Sequence, residues 1–276
     1  MSQVDDKLRL LCEELSQHRS QLSAACTAQF VQHQQSMARP AAKVPLVHGM
    51  NDGEGLPDLQ AILAGRALRS SADRKPDKSL KEIETLLGLP DCVYTSAGVL
   101  YPQKNVALLF QPSVEKSSVA EASPWDSGAF GRRYRLKAEQ QDSFLTTYRE
   151  LFRKYCLPAP QYREYFRYYV ATYFGSFEQY LSGQKSTFSD KLELLKQDSF
   201  GSRIFEVRFQ RSLPVSAGTL MAVFVRDKAG NEDWARVKRL LTTFEKEGVH
   251  IDFYSHNANL HRRVYDFIHS SLQATS

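Results

Sequence analysis

Apolar residues recur at spacings of three and four near the start of the chain, at Val4, Leu8, Leu11, Leu15, Leu22 and Cys26, with an interruption at His18. The pattern predicts an amphipathic helix from about Val4 to Phe30. Its apolar seam is narrow, so it suits either a coiled-coil partner or packing across the rest of the chain, and packing is the preferred reading. Arg39-Pro40-Ala41-Ala42 is then expected to end the helix and act as a linker.

A β-like run from Val44 to Val47 ends at His48-Gly49, and Asn51-Asp52-Gly53-Glu54-Gly55 follows as a polar turn. Leu59, Ile62 and Leu63 share one helical face, with Gly65 as the stop. A charged stretch over Ala72 to Ser79 leads to a helix ending near Gly88, and strands are predicted at Cys92–Thr95 and Val106–Phe110. Pro112 to Arg133 has neither period and is expected to be a long loop, of the sort that carries function.

From Ala138 to Lys196 the pattern is helical and dense in rings, among them Phe152, Tyr162, Phe166, Tyr169 and Tyr173. At helical spacing such rings face inward, although interleaved Arg149, Arg153, Lys154, Arg163 and Arg167 also suit a base-stacking, phosphate-holding surface. The last third predicts strands at Ile204–Phe209, Leu220–Val225 and His250–Tyr254, and helices at Glu232–Glu247 and Leu260–Leu272.

The bulk properties narrow the class. A chain of 276 residues with 42% hydrophobic content can bury a substantial core. Neither a membrane span nor a secretory leader is apparent, so the expected location is the cytoplasm, with no membrane partner. Cys12, Cys26, Cys92 and Cys156 lie far apart without a Cys-x-x-Cys pair, which argues against a zinc knuckle or a disulfide framework. His250, His256, His261 and His269 lack companions at ligand spacing, and no metal is expected. A net charge of +5 favours phosphate-bearing partners, but Lys and Arg are spread along the chain rather than gathered on one element.

Three segments carry candidate chemistry. Glu206 lies in the run Ile204-Phe205-Glu206-Val207-Arg208-Phe209, sharing a face with Ile204 and Arg208. A carboxylate there needs a partner or a task, because desolvating it is costly. Pairing with Arg203, Arg208 or a neighbouring strand is the bland explanation. His48 can bond a sugar hydroxyl, and Gly49 leaves its backbone amide open to close approach. Tyr94 offers a stacking face, Thr95 or Ser96 a hydroxyl, and Tyr101 a second ring.

This order of motifs resembles the His-Tyr-Glu class of ADP-ribosyltransferases, which includes the poly-ADP-ribose polymerases, the diphtheria-like toxins and, more loosely, bacterial toxins that modify nucleic acid. The resemblance covers residues 44–110 and 203–225. It implies an α+β fold with a split antiparallel/mixed β-sheet core of ADP-ribosyltransferase type, an N-terminal helix (1–38) and a domain over 44–276 with a large helical insertion at 138–200. It implies NAD as the substrate. His48 would bind the adenosine ribose, Gly49 the carboxamide, and Tyr94, with Ser96 and Tyr101, the nicotinamide, while catalytic Glu206 would polarise the nicotinamide ribose. Trp125, Asp126, Arg132 and Arg133, in the long loop, are candidates for acceptor binding or a lid. The implied activity is that of a toxin or antiviral defence effector acting on nucleic acid or protein, with the N-terminal helix free to bind a partner or self-associate. Two alternatives stay open: a catalytically inert partner-binding module, and a nuclease-like enzyme using His256, His261, Arg262 and Arg263 with Asp252.

Overall fold

The computed structural model describes residues 3–20, 38–53, 56–70, 82–89, 91–101, 103–116, 120–174, 176–182, 204–228 and 232–274. The predicted helix beyond residue 20, the charged stretch 72–79 and the end of the helical insertion past residue 182 lie outside these residues.

Alternating apolar runs build a large sheet from β1 (Leu46–Met50), β3 (Cys92–Ala97), β4 (Val106–Phe110), β5 (Ala120–Ser123), β6 (Leu157–Pro158), β7 (Glu206–Gln210), β9 (Leu220–Arg226) and β10 (His250–Tyr254). Their order is β10-β9-β4-β1-β3-β7-β5-β6, and every neighbouring pair is antiparallel except β9 with β10. With ten helices among the described residues, the chain is an α+β protein built on a mostly antiparallel sheet. A second, two-stranded sheet pairs β2 (Ala67–Arg69) with β8 (Ser212–Pro214).

Helices cover both faces of the large sheet. On one, α9 (Glu232–Lys246) places Trp234 against Phe253 and also packs on α3 (Pro57–Gly65). On the other, Phe267 of α10 (Leu260–Gln273) meets Phe224 edge to face at 5.6 Å. Asp52 explains the polar turn before α3: its carboxylate accepts from the amides of Leu59 (2.8 Å) and Asp58 (3.4 Å), groups the helix cannot pair itself. Gly65 is the last helical residue, and Arg66 takes the left-handed cap position at φ 52°.

Two expectations need correction. Residues 39–42 are not a linker but lie in a short helix, α2 (Ala38–Lys43), because Pro40 sits in the first turn, where its missing N–H costs nothing. The expected loop over Pro112 to Arg133 contains a 3-10 turn (Pro112–Lys116), β5 and α5 (Ser127–Arg133). Its order is tertiary in origin. Pairing with β7 sets β5, and Gly131 lets α5 pack so closely on α4 (Glu82–Leu86) that a Cβ there would lie 2.1 Å from Ile83 Cγ2.

The ring-rich helices α6 (Asp142–Lys154), α7 (Gln161–Tyr173) and α8 (Phe177–Leu181) form core. Tyr162, Tyr165, Phe166 and Tyr169 surround Phe205 with centroids 5.0–6.0 Å away. The interleaved arginines mostly serve the fold rather than a base-stacking surface. Arg163 bonds the carbonyls of Ala41 (2.8 Å) and Val44 (2.9 Å) and pairs with Glu115, while Arg149 and Arg153 bond the carbonyls of Leu86 and Gly88. The N-terminal helix α1 (Gln3–Ser20) packs on α7 with Leu11 and Leu15 buried.

Candidate active site

The sheet opens between β1 and β3. Their ladder has two rungs, Leu46–Ala97 and Val47–Ser96, after which β1 continues along β4 to Met50 while β3 stays paired with β7 back to Cys92. Backbone directions follow from alternation. Pro45 O accepts from Gly98 N on the β3 side and Met50 O from Asn105 N on the β4 side, so the Gly49 N–H and C=O are directed toward β3, past the last rung. Ala97 N donates toward β7 to Phe205 O, so the Tyr94 carbonyl looks back toward β1. There His48 Nδ1 meets it at 2.8 Å. A carbonyl only accepts, so Nδ1 carries the proton and the imidazole stands where a ladder bond is missing.

Across the sheet beside this opening, Val47, Ser96, Glu206 and Ser123 form one row on one face, and Tyr94, Arg208 and Glu121 form the next. Glu206 and Arg208 are each only 2% exposed. Arg208 Nη1 donates to Glu206 Oε1 and to Ser123 Oγ, both at 2.8 Å, and Nη2 to Cys156 Sγ at 3.2 Å and Glu121 Oε2 at 3.3 Å. Ser127 approaches Glu206 Oε2 at 3.4 Å with both its amide and its hydroxyl. Asp126 caps α5 by accepting from Ala129 N at 2.6 Å, and its other oxygen accepts from the Tyr101 hydroxyl.

Burial raises the Glu206 pKa to about 8, and the neighbouring Asp126 charge adds to the rise; Arg208 opposes it without cancelling it. Burial likewise pushes the Tyr94 and Tyr101 phenols up, so both stay protonated. The site thus holds a carboxyl group that changes charge near neutral pH beside a permanent cation.

Tyr94, Ser96 and Glu206 share a face, and Tyr101 and Asp126 join them through the Asp126 carboxylate. By register His48 belongs to the opposite face, with Leu108, and joins the group only through the Tyr94 carbonyl. The Tyr94 hydroxyl is buried without a hydrogen-bond partner among the described residues. Ser96 is structural: its hydroxyl donates to the carbonyls of Val99 and Val47. A Cβ on Gly49 would lie 2.7 Å from Leu100 Cδ1 and 2.8 Å from Lys104 Cγ, so the side chains of Leu100 and Lys104 close over it.

Trp125 is not on a lid. It is buried between Phe130 (5.6 Å) and Tyr155 (4.8 Å), because its ring completes the core beneath α5. Arg132 is exposed, 3.8 Å from Asp126, and Arg133 lies over the Tyr134 ring. The contribution of Ser127 was missed because it comes from a segment without periodicity, and the bond between Tyr101 and Asp126, each a candidate by itself, depends on the tertiary fold. The Glu-x-Arg spacing in an apolar strand was the available signal for Arg208.

At the C-terminal end Asp252 pairs with Arg263 (3.1 Å), Arg262 with Asp266 (3.0 Å), and His250 stacks on Phe267. Among the described residues, no three His, Cys, Asp or Glu side chains are grouped to hold a metal ion, and no helix is long and apolar enough to cross a membrane. Compared with known proteins, the chain matches no protein-family model and no curated protein sequence.

Proposed function

We propose that the chain is an NAD-dependent ADP-ribosyltransferase of the His-Tyr-Glu type, with its sheet of that type and its site at the opening between β1 and β3. The observation that carries this reading is adjacency: the His-Gly, Tyr and Glu strands are consecutive neighbours, β1, β3 and β7, although they are far apart in the chain. Three further features fit the substrate. The Gly49 amide and carbonyl are directed at the opening, the partly buried Tyr94 lies beside it, and the orphaned Tyr94 hydroxyl lacks an acceptor or donor that a ligand would supply.

In this reading Gly49 holds the carboxamide by its backbone and Tyr94 stacks on the nicotinamide. Because His48 Nδ1 is a donor to Tyr94, its Nε2 is the nitrogen that accepts from a ribose hydroxyl. The C–N bond to nicotinamide breaks with its electron pair passing to the ring, and the ribose carbon becomes cationic. Ionised Glu206 stabilises that charge through the adjacent ribose hydroxyl. The acceptor nucleophile then bonds to the ribose carbon, and its proton passes to solvent. Entry requires Leu100 and Lys104 to swing off Gly49, which makes these two side chains the lid in place of Trp125.

Exposed Arg132, 3.8 Å from Asp126, with exposed Arg135 and Lys137 following it in the chain, favours a polyanionic acceptor such as nucleic acid over protein, in keeping with a toxin or defence effector working in the cytoplasm. The buried Glu206–Arg208 pair favours a second reading, an inert module in which the carboxyl group serves only the fold. Incubation with labelled NAD and nucleic acid separates the two. Label transfer by the wild type that is lost in Glu206→Gln supports the transferase, whereas no NAD consumption by either supports the inert module.

A further inference from the structure

We propose that a cavity beneath α1 binds an anionic amphiphile, a carboxylate carried on a hydrocarbon chain. The cavity has a volume of about 830 Å³, within the range of small-molecule sites. Val4, Leu10 and Leu11 of α1 face Ala120 and Pro158 across it, so much of the wall is apolar. Four of its lining residues are cationic, Lys7, Arg153, Lys154 and Arg208, against the two carboxylates of Asp6 and Glu121. Lys154 is paired with Glu14, and Arg208 with Glu206 and Glu121, which leaves Lys7 and Arg153 without an ion pair among the described residues against the single carboxylate of Asp6; they call for a negative ligand and the remaining wall for an apolar one.

Arg208 is the second, independent indication. It is fully buried, both its terminal nitrogens are committed, to Glu206 and Ser123 on one side and to Glu121 and Cys156 on the other, and its Nε has no partner among the described residues. A buried guanidinium N–H without an acceptor is costly, and a single carboxylate oxygen reached from the cavity would satisfy it. Lys7 adds a second donor at the wall, held in place by the carbonyls of Arg153 and Cys156. Burial lowers its pKa, a penalty that a bound anion would offset. Since Arg208 also grips Glu206, occupancy would shift the carboxyl group proposed for catalysis; that consequence rests on the transferase reading, but the binding does not.

The test is calorimetric titration of the full chain with dodecanoate, and with dodecanol as its uncharged counterpart. Dodecanoate should bind at one site at least tenfold tighter than dodecanol. Lys7→Met should weaken dodecanoate at least fivefold while leaving dodecanol unchanged. Val4→Trp, which fills the cavity, should weaken both at least tenfold with the helical circular dichroism retained. Absence of dodecanoate binding, equal affinity for the two probes, or binding indifferent to Val4→Trp would overturn the proposal. NAD turnover is not read in this experiment, so its outcome is separate from that of the transferase reading.

Discussion

Replacing Glu206 by Gln tests the electrostatics of the site without any assumption about substrate. In the folded chain the carboxyl pKa is raised to about 8, and in the unfolded chain it returns to its ordinary 4.5. Between these values the unfolded chain releases a proton that the folded chain keeps, so wild-type stability falls as pH rises through this window and levels off above it. One proton corresponds to about 1.4 kcal/mol per pH unit. Glutamine cannot titrate, so between pH 5.5 and 7.5 the variant should gain about 3 kcal/mol on the wild type. A roughly constant loss of about 1 kcal/mol for a poorer bond to Arg208 is superimposed. Urea unfolding of both proteins at several pH values, followed by circular dichroism, reads the difference and cancels titrations elsewhere. A difference that stays flat over this window would mean that Arg208 keeps Glu206 ionised, and the reasoning would fail.

Other perturbations read the same structure elsewhere. Tyr94→Phe removes a buried hydroxyl without a partner, so thermal unfolding should show a gain of about 1 kcal/mol, while NAD consumption should fall. Gly98→Ala should cost about 2–4 kcal/mol in chemical denaturation, since Gly98 sits at φ +71° and a Cβ there would lie 2.6 Å from Leu181 Cδ2. Arg163→Met should cost about 3 kcal/mol by the same assay, because it leaves the partly buried Glu115 carboxylate with the Tyr162 hydroxyl but no cation and frees the carbonyls of Ala41 and Val44. If turnover requires ionised Glu206, kcat/KM for NAD should rise tenfold per pH unit up to about pH 8 and then level, and a profile flat from pH 6 to 8 would remove Glu206 from that role.

Periodicity revealed most of the framework: β4, β10, α9 and α10 fall within a residue or so of their predicted bounds, because long apolar patterns report burial directly. The inward packing of the rings around Phe205 was readable for the same reason. Elements set by partners rather than by pattern were not. β5 exists because β7 pairs with it, and α5 because Gly131 admits Ile83. In the site, the sequence indicated Glu206 and Tyr94 each within a strand, and the pairing of those strands came from the fold. It did not reveal that His48 faces the other way, which depends on the register of β1 against β3, or that Trp125 is core.

The most direct test of the account is release of nicotinamide from NAD by the purified chain, compared with Glu206→Gln after both are shown to be folded. The account predicts release by the wild type and a loss of at least a hundredfold in the variant. Equal release by both, or none by the wild type in the presence of nucleic acid and protein acceptors, would contradict it.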